Sequence, residues 1–515
     1  MTTPADVVFV DGEFHAFGDA ETVAEAVAVR DGRIVRVGST YEIDFLTGVE
    51  TDVVDLGGRT VLPGFVDAHT HMLQLGRTEV HADLAGAESL DEALDRLQAE
   101  GAGGDAGGEW ILGFGWDETD WPDGEGPPTR TDLDAVSTER PVAASRVDLH
   151  SVALNSVAFD RLGSDFPQTD VRTEAGEPTG LLVESAAEVV REAVAPDREQ
   201  TREAIEAAID YAHERGVTGV HDMVRHPPVS RVYRDLDATG DLDLRVRINT
   251  MADRLDEVDA LGLRPNHGSD FVRVGAIKIF VDGSIGSRTA KVSEPFADAP
   301  EETGTWVQSP AELRNLVGRI DGDGHQLAAH AIGDEAVEAA IDALDRPASR
   351  HRIEHLELVD ESAVDRLASV GAVASVQPNF HRWAREGGLY ARRLGDDRRL
   401  RSNPLRWLVD AGVPVAFGSD GMPMDPLYGI EQAVTAPGSV QRLSVTEAVR
   451  AYTQGSAYAG FDEDRLGTIE RGKLADFVVL SASPWERAQK HSADPSAIDV
   501  VATVVDGDVV YDDRS

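Results

Sequence analysis

Residues 62–71 read LPGFVDAHTH, an apolar strand-like run that ends in two histidines, His69 and His71. Residues two apart on a strand point to the same face, so the two imidazoles project to one side. Two imidazoles at the end of a strand form a candidate metal-binding pair. Such a pair alone is weak evidence for a metal site, because two histidines can equally be ordinary surface or core residues.

Seven further strand-like runs follow, and helical stretches such as 202–214, 334–344, 361–370 and 404–411 lie between them. Strands alternating with helices indicate βα units, and eight such units predict an α/β protein with the (β/α)8 TIM barrel fold. An open doubly wound sheet is the alternative, but it would carry a GxGxxG or Walker sequence, and neither exists here. The eight predicted strands are Leu62–His69, Val217–Met223, Leu244–Thr250, Val272–Asp282, Gln326–Ile332, His351–His355, Ala372–Gln377 and Val413–Asp420.

Other residues of ligand type lie at the ends of later predicted strands. His330 lies near the end of the fifth strand, His355 ends the sixth, and Asp420 ends the eighth. Side chains at the carboxyl ends of barrel strands converge on one face, where barrel active sites are built. The coincidence across four strands predicts that these three residues join His69 and His71 in a metal site.

Lys278 lies within the apolar run AIKIFV, on the strand face that points into the barrel. Burial lowers the pKa of a lysine towards a neutral, nucleophilic amine, which can add carbon dioxide to form a carbamate able to bridge two cations. A guanidinium group cannot do this, which gives a chemical reason for this residue in a chain with only four lysines. A plain ion pair with Asp282 or Asp420 is the alternative.

The two ends of the chain carry short β-runs, with hairpin turns predicted at Asp31-Gly32 and Asp506-Gly507. Neither end has enough strands for a stable sheet, so residues 1–61 and 465–515 are expected to pair in a small composite β-sandwich. Two unrelated β-appendages are the alternative.

The barrel then spans residues 62–464. Its first crossover is too long for an ordinary connection, which predicts an inserted lid or substrate subdomain over residues 77–200.

The 515-residue chain carries 93 Asp and Glu against 48 Lys and Arg, a formal net charge of −45. This charge argues against a nucleic-acid partner, and its self-repulsion weakens the compact state at low ionic strength. In molar salt the Debye length is about 3 Å, so the repulsion between surface charges is screened. The composition therefore resembles that of halophile proteins.

The chain has no Cys, no signal-like start and no apolar run of membrane-spanning length, so we expect a cytoplasmic protein with no membrane partner.

Six stretches resemble the amidohydrolase superfamily, specifically the amidohydrolase-3 branch of YtcJ-like proteins, which includes N-substituted formamide deformylase. They are PGFVDAHTH, KIFVDGSIGSRTA around Lys278, AHAIGD around His330, RIEHLEL around His355, GSDGMP around Asp420, and LGTIERGKLADFVVL. They lie within residues 58–480 and follow the family's order. GWDETDW, PPTRTDLD and DLHSVALNS also resemble the inserted subdomain of that branch. The chain departs from the branch at Gly421-Met422, where relatives vary, which leaves the substrate preference open.

The resemblance implies a metal-dependent hydrolase that cleaves the C–N bond of a small-molecule amide, for example an N-formyl or N-acyl amine. His69 and His71 would bind one metal, and His330 and His355 a second, with a carboxylated Lys278 bridging the two. The expected cofactor is a divalent metal, zinc, at one or two ions per chain.

Asp420 would bind the first metal and act as the catalytic proton shuttle. It would take the proton of a metal-activated hydroxide and return it to the leaving amine. Trp116, Asp117 and His150 in the insertion are candidate substrate-binding residues. Arg288 is a further candidate, because its guanidinium can bind a carboxylate through two hydrogen bonds.

Two alternatives to this function are kept open. A deaminase of the same superfamily uses one metal and no bridging lysine, so Lys278 argues against it and the metal stoichiometry would discriminate. A non-catalytic small-molecule binding barrel would have lost residues of the metal site, and all six are present. A homodimer is expected from the prevalence of symmetric oligomers.

Overall fold

The computed structural model describes residues 3–18, 23–103, 109–118, 121–122, 126–147, 151–344, 349–489 and 498–514. The chain divides into two units, one formed by residues 1–72 with 209–515 and the other by residues 73–208. Within the described ranges, no helix is long and apolar enough to cross a membrane.

Both ends of the chain contribute to one hydrogen-bonded sheet in the first unit. Its strands are β1 (Val7–His15), β2 (Val23–Ala24), β3 (Ala26–Arg30), β4 (Arg33–Gly38), β5 (Asp52–Pro63), β20 (Phe477–Leu480), β21 (Val500–Val505) and β22 (Asp508–Asp512). They follow in the order β22-β21-β20-β5-β1-β3-β4, with β2 paired to β1. β20 and β5 are antiparallel and join the two ends. Leu62 and Pro63 therefore belong to this sheet, whereas the sequence placed them in the first barrel strand.

Two tight turns in this sheet have the geometry that the sequence predicts. Asp31 and Gly32 connect β3 to β4 with φ values of 51° and 68°. Asp506 and Gly507 connect β21 to β22 with φ values of 56° and 90°. Positive φ at both central residues is the requirement of a type I′ turn, so both hairpin predictions are confirmed.

The core of this sheet contains an aromatic cluster built from both ends of the chain. Phe477 of β20 packs edge-on against Phe9 and Phe14 of β1, with ring centroids 5.6 and 6.0 Å apart. All three rings are buried. Because burying a phenyl ring contributes about 1.5–3 kcal/mol, the cluster stabilises the pairing of the two ends.

The predicted TIM barrel is confirmed by eight parallel strands in the first unit. These are β6 (Phe65–Thr70), β13 (Val217–Val224), β14 (Arg245–Met251), β15 (Val272–Phe280), β16 (Leu327–Ala331), β17 (Arg352–His355), β18 (Val373–Val376) and β19 (Val415–Phe417). Their spatial order follows the chain. Burial on both faces explains why they read as apolar runs.

The last barrel strand ends at Phe417, whereas the sequence predicted a strand up to Asp420. Gly418 lies directly against the backbone of His69, and a Cβ atom there would stand 2.5 Å from the His69 nitrogen. Only glycine permits this approach. Two residues later, the Asp420 N–H donates to the His69 carbonyl at 2.7 Å, which brings β19 and β6 together at the carboxyl end of the barrel strands.

Helices of the first unit begin and end at standard local signals. The helix Pro310–Gly322 starts with a capping box between Ser309 and Glu312, and the helix Glu361–Val370 ends at Gly371, whose φ is 70°. The helices are α1 (Thr40–Asp44), α8 (Pro227–Thr239), α9 (Leu255–Ala260), α10 (Pro310–Gly322), α11 (Asp334–Ala343), α12 (Glu361–Val370), α13 (Leu389–Leu394), α14 (Asp396–Arg399), α15 (Leu405–Asp410), α16 (Pro426–Thr435), α17 (Val445–Arg450), α18 (Ser456–Ala459) and α19 (Pro484–Gln489).

The second unit contains the residues that the sequence assigned to an insertion. Its sheet has the order β11-β12-β10-β9-β8-β7, from β7 (Ala82–Asp83), β8 (Ile111–Trp116), β9 (Val142–Arg146), β10 (Ser151–Leu154), β11 (Val171–Glu174) and β12 (Glu177–Val183). Its helices are α3 (Leu90–Ala102), α4 (Arg130–Val136), α5 (Ser156–Leu162) and α6 (Glu184–Ala193). The helices α2 (Met72–Val80) and α7 (Arg198–His213) contain the two unit boundaries. A role as a lid stays a prediction.

Candidate metal centre

Three side chains converge at the ends of β6 and β19: His69, His71 and Asp420. One ligand atom from each lies within 4.8 Å of the other two. Oδ1 of Asp420 is 3.6 Å from Nε2 of His69 and 3.2 Å from Nε2 of His71. Imidazole nitrogens with a carboxylate oxygen are ligands that zinc and related divalent ions take. The metal-site prediction for these three residues therefore has a geometric basis.

A buried carboxylate fixes the orientation of His69. Nδ1 of His69 lies 2.6 Å from Oε2 of Glu354, and both side chains are buried. An ionised carboxylate only accepts hydrogen bonds, so Nδ1 carries the proton and Nε2 bears the lone pair. Nε2 is the nitrogen that faces Asp420. A carboxylate behind an imidazole is the usual support of a metal-binding histidine.

His330 and His355, at the ends of β16 and β17, extend this cluster. The ring centroid of His355 lies 4.5 Å from that of His330 and 4.8 Å from that of His69. Nε2 of His330 donates to the Gly283 carbonyl at 3.0 Å, which leaves the lone pair on Nδ1. Nδ1 of His355 donates to Oε1 of Gln377 at 2.8 Å, which leaves the lone pair on Nε2. Each imidazole therefore has one ring nitrogen in the form that binds a metal.

A left-handed backbone conformation turns His355 towards the site. Arg352 and Glu354 share one face of β17, and both reach side chains on other barrel strands. Strand alternation would send His355 to the opposite face. His355 instead has a φ of 74° and Leu356 a φ of 51°, a region sparsely populated by residues other than glycine. Two adjacent residues, Glu354 and His355, are thereby both able to contact His69.

Lys278 of β15 is buried, as the sequence predicts, and it has no polar partner among the described residues. Its Nζ makes no hydrogen bond and lies 5.1 Å from the ring centroid of Phe280. No hydrogen bond or salt bridge joins it to Asp282 among the described residues, and that carboxylate instead accepts hydrogen bonds from three backbone N–H groups. A buried ammonium without a partner is costly, so the burial of Nζ favours the neutral amine over a plain ion pair.

Burial shifts the titration of this cluster towards neutral nitrogens. Desolvation lowers the pKa of His69 to about 4, with the Lys278 charge acting in the same direction. Desolvation also lowers the pKa of His355 to about 3, reinforced by His69. Burial lowers the pKa of Lys278 to about 8, although Glu354 and Asp420 raise it. At pH 7 the imidazoles of His69 and His355 are therefore neutral, and part of Lys278 is a free amine.

Asp420 remains an ionised carboxylate. Burial raises its pKa, but the hydrogen bond from His71 and the electrostatic attraction of the imidazoles of His69, His71 and His355 together lower it by more, so the pKa lies below the ordinary range for aspartate. Its φ is 56°, a left-handed conformation that aspartate adopts more readily than most residues. An ionised carboxylate beside two imidazoles can bind a cation and accept a proton.

The residues of this cluster fit a divalent metal. They present imidazole lone pairs, one ionised carboxylate and a buried amine that has no polar partner within the described part of the chain. Each buried imidazole is supported from behind by a carboxylate, a carbonyl or an amide oxygen. Such outer partners are characteristic of histidines that bind metals.

The structure also reveals supporting residues that the sequence analysis missed, above all Arg352 and Glu354. Their signal was present, because two charged residues alternate along a strand that is otherwise buried, where apolar residues are the rule. Their partners were not visible, since Glu354 meets His69 across 285 residues of chain. Gln377, which follows β18, carried no local signal.

The candidate substrate-binding residues of the insertion lie in the second unit. Trp116 is fully buried there, and its indole N–H donates to the Ala144 carbonyl at 2.9 Å. Asp117 forms a salt bridge with Arg146 at 2.9 Å. His150 lies outside the described residues. The substrate-binding roles of all three stay predictions.

Arg288 already binds a carboxylate of the chain itself. Its Nε and Nη2 atoms donate to the two oxygens of Asp298 at 3.0 and 2.8 Å. The bidentate geometry is the one expected for Arg288, but a substrate carboxylate would have to replace Asp298. Its substrate-binding role stays a prediction.

A family model and two known proteins match most of this chain. The model of the Amidohydrolase family matches residues 52–511. The Bacillus subtilis protein YtcJ, named as an amidohydrolase, is 33% identical over 95% of this chain and 96% of its own. The N-substituted formamide deformylase of Arthrobacter pascens is 26% identical over 99% of both chains.

A solved structure shares the fold over nearly its whole length. An uncharacterised metal-dependent hydrolase from Pyrococcus furiosus superposes with a TM-score of 0.80 at 29% identity. The match covers 93% of this chain and 99% of that protein. It therefore includes the barrel that carries the histidine cluster.

Proposed function

This chain belongs to the amidohydrolase family, and from that premise we propose that it cleaves an acyclic amide, an N-formyl or N-acyl amine. It is a metal-dependent hydrolase acting on C–N bonds other than peptide bonds. The observation that carries the proposal is the convergence of His69, His71 and Asp420 within 4.8 Å. The similarity to N-substituted formamide deformylase supports an acyclic amide as substrate.

In the proposed mechanism the chain holds the ions and moves the proton. His69 and His71 would hold one ion, and His330 and His355 would hold a second. A bound divalent metal supplies Lewis acidity, which lowers the pKa of water to about 7 and polarises the amide carbonyl. An oxygen of Asp420 accepts the proton of the attacking water and delivers it to the leaving nitrogen. This delivery matters because an amine anion is a poor leaving group.

Lys278 takes part in the proposal as a carbamate. Its neutral Nζ attacks the carbon of carbon dioxide: an N–C bond forms, the π electrons of one C=O bond move to that oxygen, and one proton passes from the nitrogen to water. The product has one negative charge shared by two oxygens, which can bind one cation each. Support comes from the burial of Nζ and from its lack of a polar partner among the described residues.

A substrate panel tests the proposed function. N-formyl amines, N-acyl amines, cyclic amides and amino-substituted heterocycles are assayed with zinc, manganese or cobalt in molar potassium chloride. We expect amine release from an acyclic amide, and no release from the chelated protein. Release of ammonia from the heterocycles without any amide hydrolysis would contradict the proposal and favour the deaminase.

We also propose that the surface is adapted to high salt, because the net charge is −45. Transfer from molar to about 0.1 M potassium chloride lengthens the Debye length from about 3 Å to about 10 Å, so that carboxylates begin to repel one another. We expect the melting temperature and the activity to fall below about molar salt and to recover when salt is restored. Thermal melts across a potassium chloride series measure this.

A chelator separates this effect from metal binding. An ion that binds only the folded state stabilises it by mass action and would mask part of the repulsion. The series is therefore run with and without chelator. A melting temperature of the chelated protein that does not change with salt would contradict the adaptation and leave the hydrolase proposal intact. Cytoplasmic location and a homodimer stay predictions.

A further inference from the structure

A chain of buried polar contacts runs behind His69, across the interior of the barrel. Nδ1 of His69 meets Oε2 of Glu354 at 2.6 Å. Nε and Nη2 of Arg352 donate to the two oxygens of that carboxylate at 2.5 and 3.1 Å. Nη1 of Arg352 lies 2.8 Å from Nδ1 of His221, which accepts its hydrogen bond. All four side chains are almost completely buried.

Arg352 connects four barrel strands at this level. In addition to Glu354 on its own strand and His221 on β13, Nη2 donates to Oγ of Ser375 on β18 at 2.8 Å. The same nitrogen donates to the carbonyl of Ala68 on β6, the residue before His69. A planar guanidinium with five N–H donors in a fixed fork suits such a junction, whereas an ammonium does not. The position of the Glu354 carboxylate is therefore determined by the barrel itself.

Stability alone does not account for this buried ion pair. Removing two charges from water has a desolvation cost that their attraction often fails to repay, and apolar residues of the same volume commonly stabilise a core as well. The pair lies directly behind His69, and its second carboxylate oxygen is the one that the imidazole contacts. Its location points to a task at the metal centre.

We propose that Glu354, held in place by Arg352, is the positioning residue of the first metal site. Its carboxylate keeps the proton of His69 on Nδ1, so that Nε2 presents its lone pair on the side of Asp420. It also adds a negative charge behind the ligand, which strengthens the attraction of the imidazole for a cation. This inference rests on the metal-binding part of the proposed function, but not on the identity of the substrate.

Glu354→Gln tests this role, with Glu357→Gln as the matched control. Glu357 is also buried and follows the same strand, but its carboxylate accepts a hydrogen bond from the hydroxyl of Tyr390. Zinc affinity is measured by competition with a chromophoric chelator in high salt. We expect Glu354→Gln to weaken binding at the first site by about 10–100-fold and Glu357→Gln to leave it unchanged. Wild-type affinity in Glu354→Gln, or an equal loss in both variants, would overturn the inference.

A measurement on the wild-type protein decides the matter even if Glu354→Gln does not fold. Nitrogen-15 NMR of the metal-free protein, with ring-labelled histidine and the His69 signal assigned by its loss in His69→Gln, reports the tautomer. We expect a protonated Nδ1 and an unprotonated Nε2, and the opposite tautomer would overturn the inference. If the metal affinity depends on Glu354 but the protein hydrolyses no amide, the proposed function is overturned and this inference stands.

Discussion

Replacing Lys278 by alanine is expected to lower kcat by more than the loss of a residue that only supports a metal ligand. Losing such a supporting residue costs roughly 10–100-fold. The reason is that the variant removes the proposed bridging carbamate from the centre of the site. Short carboxylic acids or bicarbonate are expected to restore part of the activity, because they supply the missing oxygens. Steady-state kinetics with and without these additives measure both effects.

Lys278→Arg is the control for this prediction. A guanidinium keeps the positive charge, but it stays protonated and cannot add carbon dioxide. We therefore expect Lys278→Arg to be as inactive as Lys278→Ala and insensitive to the additives. Wild-type activity in the arginine variant would show that only a charge is needed at this position, and the carbamate would be ruled out.

Asp420→Asn is expected to lower kcat by about 10²–10⁴-fold, the usual contribution of a positioned proton-transfer group. Asparagine tolerates the left-handed backbone, with φ of 56°, almost as well as aspartate, so the substitution removes the charge without forcing the chain to move. Kinetics on the best substrate of the panel, together with a thermal melt, separate the loss of proton transfer from unfolding.

Asp425→Asn provides the comparison for that variant. Asp425 lies nearby in sequence and caps α16 by accepting the Tyr428 N–H at 2.9 Å. Asparagine is an equally good N-cap, so kcat should be close to that of the wild type. If Asp420→Asn raised KM and left kcat unchanged, Asp420 would bind substrate without moving the proton.

The barrel could be predicted because its physical signals are local. Each fully buried parallel strand reads as a short apolar run, and the ends of these runs placed His69, His330, His355 and Asp420 on one face. The burial of Lys278 followed from the same alternation. These inferences need only the sequence within a few residues of each position.

The parts of the site that could not be predicted depend on contacts between distant segments or on irregular backbone. The pair of Glu354 and His69 spans 285 residues, and no local pattern records it. The inward turn of His355 follows from a φ of 74°, which strand periodicity does not anticipate. At the early end of β19, Gly418 lies against the backbone of His69, a segment more than 300 residues away in sequence.

Metal analysis of the wild-type protein and of the double variant His69→Ala/His71→Ala tests the central claim most directly. The account predicts one or two divalent ions per wild-type chain and loss of the first-site ion in the double variant, because these imidazoles share one side of the site with Asp420. His81→Ala is the control, since His81 also contacts a carboxylate, that of Glu100 at 2.9 Å, but is not among the proposed ligands. Its metal content should equal that of the wild type. Stoichiometric metal that is unchanged in the double variant would contradict the account.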